Sequence, residues 1–174
     1  MIGKKMERAF NEQIKNELES AYLYFSMAAY FHSLGLDGMA NWMRAQTIEE
    51  IVHAMKFFNH INERGGRMEL PALSKPKKEW ASPLEAFKDA YEHEKFITST
   101  INELVELAEK EKDYPAKALL QWFVTEQVEE EDSTLKVVQM LERIGDSGNG
   151  LLMLDRELGK RKATLSSDTA GEGR

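Results

Sequence analysis

There is no cysteine among the 174 residues. Disulfides, zinc ribbons, rubredoxin-type iron sites and thiolate catalysis are excluded together. Proline is scarce as well, with four in the chain, so little stands in the way of long helices. No apolar run approaches the ~18 residues from which a membrane-spanning helix is read. The opening residues Met1-Ile2-Gly3-Lys4-Lys5-Met6-Glu7 turn charged too soon for the apolar stretch of a secretory signal. Lysine and arginine form no long run, and 30 acids against 23 bases give a formal net charge of −7. That balance offers no footing for nucleic acid. The expectation is a chain without membrane or nucleic-acid partners, working in the cytoplasm. Its composition, 42% hydrophobic and 30% charged, suits a single domain with a substantial core.

What the chain does have is helical periodicity, in four long segments. The first covers about residues 4–34, with Phe10, Ile14, Ala21, Phe25 and Ala28 at helical spacing and Gly35 and Gly38 marking its end. The second covers about residues 39–64, with Met39, Met43, Phe57 and Ile61 on one stripe and Gly65-Gly66 stopping it. The third opens on a capping-box pattern, Ser82-Pro83-Leu84-Glu85, with proline at the first helical position. It continues through Phe87, Tyr91, Ile97, Ile101, Leu104 and Ala108. The fourth starts near Asp113-Tyr114-Pro115 and follows Leu119, Phe123, Thr134, Val137 and Leu141 to Gly145. Each would be roughly 40 Å long at ~1.5 Å per residue, a length that belongs to bundles.

Short connections make segments one and two, and three and four, antiparallel hairpins. Residues 65–81 contain Pro71 and Pro76 and no helical stripe. Fully extended, a stretch of that size reaches roughly 55 Å, enough to cross the bundle and set helix three parallel to helix two. The fold class is therefore all-α, a four-helix bundle with one long crossover. Beyond a turn at residues 146–150, Leu151, Leu152, Leu154 and Leu158 mark a short fifth helix. A helix of about 12 residues is unstable unless it docks, either on its own bundle or on a neighbouring subunit. The domain is expected to span residues 1–162, and residues 163–174, small and polar, are expected to be disordered.

The chemistry lies on the apolar stripes. Stepping by threes and fours keeps to one helix face, and each ladder is interrupted near its middle. Helix one reads Phe10, Ile14, Glu17, Ala21, Tyr24, and helix two Met43, Gln46, Glu50, His53, Phe57. Helix three reads Phe87, Tyr91, Glu94, Ile97, Ile101, and helix four Phe123, Gln127, Glu130, Thr134, Val137. Glutamate is almost never buried unless paired or bound to metal. Four acids meeting at one level, with an imidazole three residues after one of them, therefore point to a two-metal site. Carboxylates are hard ligands able to bridge two cations, and imidazole suits iron. Ferritin-like di-iron proteins use one Glu from each of two helices and Glu-x-x-His from each of the other two. Here Glu17 and Glu94 are the single acids, Glu50-x-x-His53 is the first motif, and the second departs to Gln127-x-x-Glu130.

With these residues in place, the chain resembles the bacterial-type non-haem ferritins over essentially its whole length to about residue 162. Three stretches carry the resemblance: Asn16-Glu17-Leu18-Glu19-Ser20-Ala21-Tyr22-Leu23-Tyr24, Glu49-Glu50-Ile51-Val52-His53-Ala54-Met55-Lys56 and Gln121-Trp122-Phe123-Val124-Thr125-Glu126-Gln127-Val128-Glu129-Glu130-Glu131. The resemblance implies a ferroxidase and iron store, a cage of twenty-four copies oxidising ferrous iron with dioxygen or peroxide and keeping it as ferric mineral. It implies Glu17, Glu50 and His53 at a first iron site, with Gln127 nearby, and Glu50, Glu94 and Glu130 at a second, bridged by Glu50. It further implies Glu49, Glu126, Glu129 and Glu130 at a third iron site, with Tyr24 and Trp122 beside the centre.

A haem is not expected. Haem-binding relatives carry a second Glu-x-x-His and a methionine between the first Glu and His, where this chain has Ile51 and Val52. The DNA-coating mini-ferritins place histidines on the first helix and often add a basic tail. Here the only first-helix histidine is the terminal His32, and the tail is not basic. His32, His60 and His93 match no ligand position and read as structural or exposed. Two other readings stay open: a di-iron peroxidase or oxygenase with its own substrate, and a non-catalytic metal-buffering or interaction bundle.

Overall fold

A computed structural model describes residues 1–163. Five helices follow one another: α1 (Lys4–Ser33), α2 (Asp37–Glu63), α3 (Pro83–Lys110), α4 (Tyr114–Ile144) and the short α5 (Gly148–Leu158). The first four run for 27 to 31 residues. α1 packs along α2, α3 along α4, and the pairs meet chiefly through α1 and α3. Among the described residues there is no strand, and no helix is long and apolar enough to cross a membrane.

Local signals place the helix starts. Ser82 Oγ accepts from the Glu85 amide at 3.1 Å, and Glu85 Oε2 accepts from the Ala81 amide at 2.6 Å. The first bond caps the helix, and the second ties Glu85 back to the residue before the cap, with proline in the first turn. Asp113 caps α4 by accepting from the Ala116 amide at 3.1 Å, and also pairs with Arg64 at 2.8 Å. The crossover, residues 65–81, has no regular structure and runs along the outside of α1. Asn11 donates to Arg67 O at 3.1 Å, Glu19 accepts from the Ser74 amide at 2.8 Å, and Ser26 donates to Lys77 O at 2.7 Å. These three tethers follow α1 in chain order, which carries the irregular segment along the bundle before α3 begins.

Polar residues divide the core. One apolar cluster gathers Met27, Phe31, Met39, Met43, Phe87, Val137 and Leu141, and a second gathers Phe10, Ile14, Phe57, Ile61, Ile101, Leu120 and Phe123. Between them in sequence position on each of α1 to α4 lie Glu17, Gln46, Glu50, His53, Glu94, Gln127 and Glu130, all buried.

The structure differs from the sequence reading in three places. Phe25 is 61% exposed. It sits ~100° around the helix from Tyr24, and Tyr24 is the residue that faces the core. Gly38 lies inside α2 rather than before it, and Gly148 and Gly150 open α5 rather than forming a turn, with Ser147 Oγ accepting from the Gly150 amide at 3.2 Å. The fifth helix docks on its own bundle through Leu154 and Leu158, which join the first cluster, while Leu152 and Met153 remain exposed. The tail expected to be disordered lies, from residue 164, outside the described residues.

Gly38 explains how α5 comes so close. A Cβ built there would lie 1.7 Å from the Asp155 carbonyl oxygen, an impossible contact. The same approach lets Asp155 Oδ1 accept from the Met39 amide at 2.8 Å, satisfying a free N–H in the first turn of α2. Gly38→Ala should therefore push α5 off the bundle, at roughly 1–3 kcal/mol for overpacking of this kind. A lower Tm with faster amide exchange confined mainly to residues 148–158 is the expected result. Parent-like exchange in that segment would contradict the packing.

Candidate metal centre

Each helix brings its polar group to the centre from a position flanked by apolar residues a turn away. Glu17 comes from α1, Glu50 and His53 from consecutive turns of α2, Glu94 from α3, and Gln127 and Glu130 from consecutive turns of α4. Glu17, Glu50 and Glu94 are at most 1% exposed. His53 stands between two acidic groups. Its Nδ1 lies 3.5 Å from Glu50 Oε2 and 4.0 Å from Glu17 Oε2, and its Nε2 lies 3.7 Å from Glu126 Oε1. Potential ligand atoms of Glu17, Glu50 and His53 fall within 4.8 Å of one another, as do those of His53, Glu126 and Glu130. Either set could hold a cation. Glu94 belongs to neither tight group, so the arrangement has its second acid on α3 held slightly apart.

Hydrogen bonds fix the acids from behind. Gln13 Nε2 donates to Glu17 Oε1 at 2.9 Å, while Glu17 Oε2 is buried with no hydrogen-bond donor among the described residues. Tyr24 donates its hydroxyl proton to Glu94. Gln127 Nε2 faces Glu94 Oε2 at 3.2 Å, Glu94 O at 3.3 Å and Thr98 Oγ1 at 3.3 Å. Gln46 Nε2 donates to Glu130 Oε2 at 2.9 Å. A buried carboxylate oxygen without a donor is costly in a protein that has nothing else to do with it. That oxygen faces Glu50 and His53, where it carries the Glu17 proton in the metal-free state and can turn to a cation, and the hard oxygen-rich donors with one imidazole fit iron.

Electrostatics follow from burial. Desolvation, reinforced by the neighbouring Glu50, raises the Glu17 pKa to about 8. Burial also raises Glu50 and Glu130, although His53 opposes it in both. Glu94 rises well above the ordinary carboxylate value through burial and the charges of Glu50 and Glu130. For His53, burial alone would lower the pKa. The charges and hydrogen bonds of Glu50, Glu126 and Glu17 outweigh it and hold the imidazole well above its usual value. Burial and the adjacent Glu94 keep the Tyr24 hydroxyl protonated, consistent with its role as donor.

The expected third-site residues sit to one side. Glu49, Glu126, Glu129 and Glu130 line one pocket of about 350 Å³ together with Asp132, Ser133 and Arg161. Glu49 and Glu130 are buried, Glu126 is half-buried and Glu129 is exposed. Trp122 meets the His53 ring edge-on at 5.4 Å and lies under Lys56 Nζ at 4.1 Å. The remaining histidines stay apart from both groups. His32 pairs with Asp37 at 2.8 Å, and His60 contacts Arg64 at 3.1 Å. His93, driven down to a pKa of about 4 by burial, packs on Ser20 at 2.7 Å. Sequence spacing misses two residues that orient the centre, Gln13 and Arg161, and places a third, Gln46, on the helix-two ladder without giving it a role. The two glutamines sit on the ladder faces, four residues before Glu17 and Glu50, and that offset was the available signal. Arg161 lies beyond the last helix and has no periodicity to reveal it.

Comparison with known proteins agrees along the chain. A family model described as a ferritin-like domain matches residues 7–144. The chain is similar to the bacterial non-heme ferritin of Staphylococcus aureus (strain USA300), 40% identical over 161 residues, 92% of this chain and 97% of that protein. The bacterial non-heme ferritin of Bacteroides fragilis (strain 638R) is 38% identical over 161 residues, 92% of this chain and 100% of that protein. Among solved structures, an open-pore ferritin from the hyperthermophilic archaeon Archaeoglobus fulgidus is 53% identical with a TM-score of 0.92, covering 93% of this chain and 100% of that chain. A closed form of that ferritin, engineered by site-directed mutagenesis, gives a TM-score of 0.93 at 53% identity, over 94% and 100% of the two chains.

The raised carboxyl pKa values set a sign for stability. A buried acid whose folded pKa exceeds its unfolded value stabilises the fold below the unfolded value, and that contribution is lost as pH rises through the folded pKa. For Glu17 this window runs from 4.5 to about 8. In metal-stripped protein, Glu17→Gln should melt close to the parent near pH 5 and increasingly above it toward pH 9. A Tm difference that stays flat across that range would show that Glu17 does not carry the proton.

Proposed function

The chain belongs to the ferritin-like family, and on that premise we propose that it oxidises ferrous iron at this centre and stores the ferric product. The observation that carries the reading is the buried group of Glu17, Glu50 and His53, whose potential ligand atoms lie within 4.8 Å of one another. Iron is the substrate. Glu17, Glu50 and His53 hold one ferrous ion, and Glu50, Glu94 and Glu130 hold the second, with Glu50 as the bridge. Gln127, whose amide already faces Glu94, orients the oxidant or a water. Each ferrous ion yields one electron, and dioxygen or peroxide accepts the pair. The anionic cradle favours the ferric product because its charge is higher and the donors are fixed in advance. Ferric iron then passes to Glu49, Glu126, Glu129 and Glu130 and hydrolyses to oxyhydroxide mineral with release of protons.

Storage requires a compartment, and we take the working form to be a cage of twenty-four copies in the cytoplasm. Exposed apolar side chains on α1 and the crossover, Tyr22, Phe25, Leu70 and Leu73, favour association with further copies. So does the near-complete coverage of the ferritin relatives.

Glu50→Ala removes the shared ligand. It should slow ferrous oxidation under air on the order of 10²-fold or more, followed as the growth of ferric absorbance, while size-exclusion chromatography still shows a particle near the mass of twenty-four chains. A variant that oxidises iron at the parent rate would remove Glu50 from the bridge. A parent protein that elutes as a small dimer would remove the cage.

A further inference from the structure

One wall of the acidic pocket beside the centre is a cation supplied by the chain itself. Arg161 follows the C-terminus of α5, and its backbone is fastened there by Asn41 Nδ2, which donates to Arg161 O at 2.9 Å and to Gly159 O at 3.3 Å. From that anchor the guanidinium passes over the Trp42 ring, 4.3 Å from its centroid. Its Nη2 donates to Glu49 Oε2 at 2.5 Å and to Gln46 Oε1. Arg161 therefore lines the same pocket as Glu49, Glu126, Glu129 and Glu130. These contacts bring together groups 112 and 115 residues apart in sequence, and no helical pattern demands them.

We propose that Arg161 is a resident gatekeeper of the third-metal position, and that a metal ion binds there only by displacing its guanidinium from Glu49 and Gln46. The proposal rests on the metal reading given above and adds its regulation. Three features make the side chain displaceable. An arginine is held most firmly by a two-pronged bond to one carboxylate, whereas here a single nitrogen is shared between a carboxylate and an amide. The second nitrogen, Nη1, is buried with no hydrogen-bond partner among the described residues, so the fork is only half used in hydrogen bonding. The side chain also keeps 21% of its surface open, which gives it a path outward while Asn41 retains the backbone.

Displacement would reach the main centre through Gln46. The amide accepts from Arg161 through Oε1 and donates through Nε2 to Glu130, so the arginine fixes which way the amide points and thereby holds Glu130. When a divalent ion takes the place of the guanidinium, Glu49 gains a stronger positive partner and Gln46 loses its orienting donor. Glu130 is then free to turn from the second iron position toward the third. Arg161 is thus a positioning residue that couples filling of the third position to release from the second.

Zinc binding tests this without redox chemistry. Metal-stripped full-length protein is titrated with Zn²⁺ by calorimetry, with bound metal counted after equilibrium dialysis. The parent should take two ions tightly and a third more weakly. Arg161→Gln should tighten the third by up to about fivefold, the scale expected for removing one partly exposed competing charge, and leave the first two within about twofold. Arg161→Lys keeps a charge but loses the planar fork, and should fall between them. Thermal melting and size-exclusion chromatography of each variant separate these shifts from loss of α5 docking. Identical third-site affinity in parent and both variants would overturn the proposal, as would three equally tight sites in the parent. A parent that binds no zinc at the first two positions would overturn the underlying metal reading instead, and a third-site shift in Arg161→Gln would then still support the gate.

Discussion

Four carboxyl groups from four different helices share one level of the bundle, and hardly any water reaches them. Each one would rather be solvated, and each raises the cost of ionising the next. The two apolar clusters on either side keep that level dry. The helices contribute their acids from near their midpoints, so the length and register of the bundle decide whether the groups meet at all. The crossover matters for the same reason. Its tethers at Asn11, Glu19 and Ser26 along α1 deliver α3 to the position where Glu94 faces the α1–α2 pair. An interior built this way resolves its crowding by keeping protons or by taking up cations, and the chemistry follows from the exchange of one for the other.

The supporting residues tune that exchange unevenly. Glu94 is held by Tyr24 and Gln127, and Glu130 by Gln46, so these acids have their oxygens oriented before a metal arrives. Glu17 is anchored through one oxygen by Gln13 and turns the other toward Glu50 and His53. His53 faces Glu17 and Glu50 with one nitrogen and Glu126 with the other. That places the imidazole at the junction between the buried centre and the outer acidic pocket, which Arg161 closes from the far end of the chain.

Much of this was legible in the sequence because helical spacing converts directly into a shared face. Glu17, Glu50, His53, Glu94, Gln127 and Glu130 were named from their ladders, and the structure buries all six together. The capping pattern at Ser82 and the long crossover were equally readable. Steps of four drift away from a 3.6-residue turn, so both Phe25 and Tyr24 fit the stripe over a short window, and only Tyr24 faces the core. Gly38 looked like a breaker because its reason for being glycine, the approach of Asp155, lies 117 positions away. Arg161 was invisible on the same ground: its partners are set by docking of α5, and nothing local announces them. What sequence periodicity cannot carry is contact between elements that share no repeat.

The claim on which the account depends is that the buried acids hold protons until metal replaces them. Anaerobic ferrous iron added to the metal-stripped protein near pH 7, with released protons followed by a pH indicator, measures this directly. Two ferrous ions bound per chain, with at least one proton expelled as they bind, is the result the account predicts. Ferrous iron bound without proton release, or not bound at all, would contradict it.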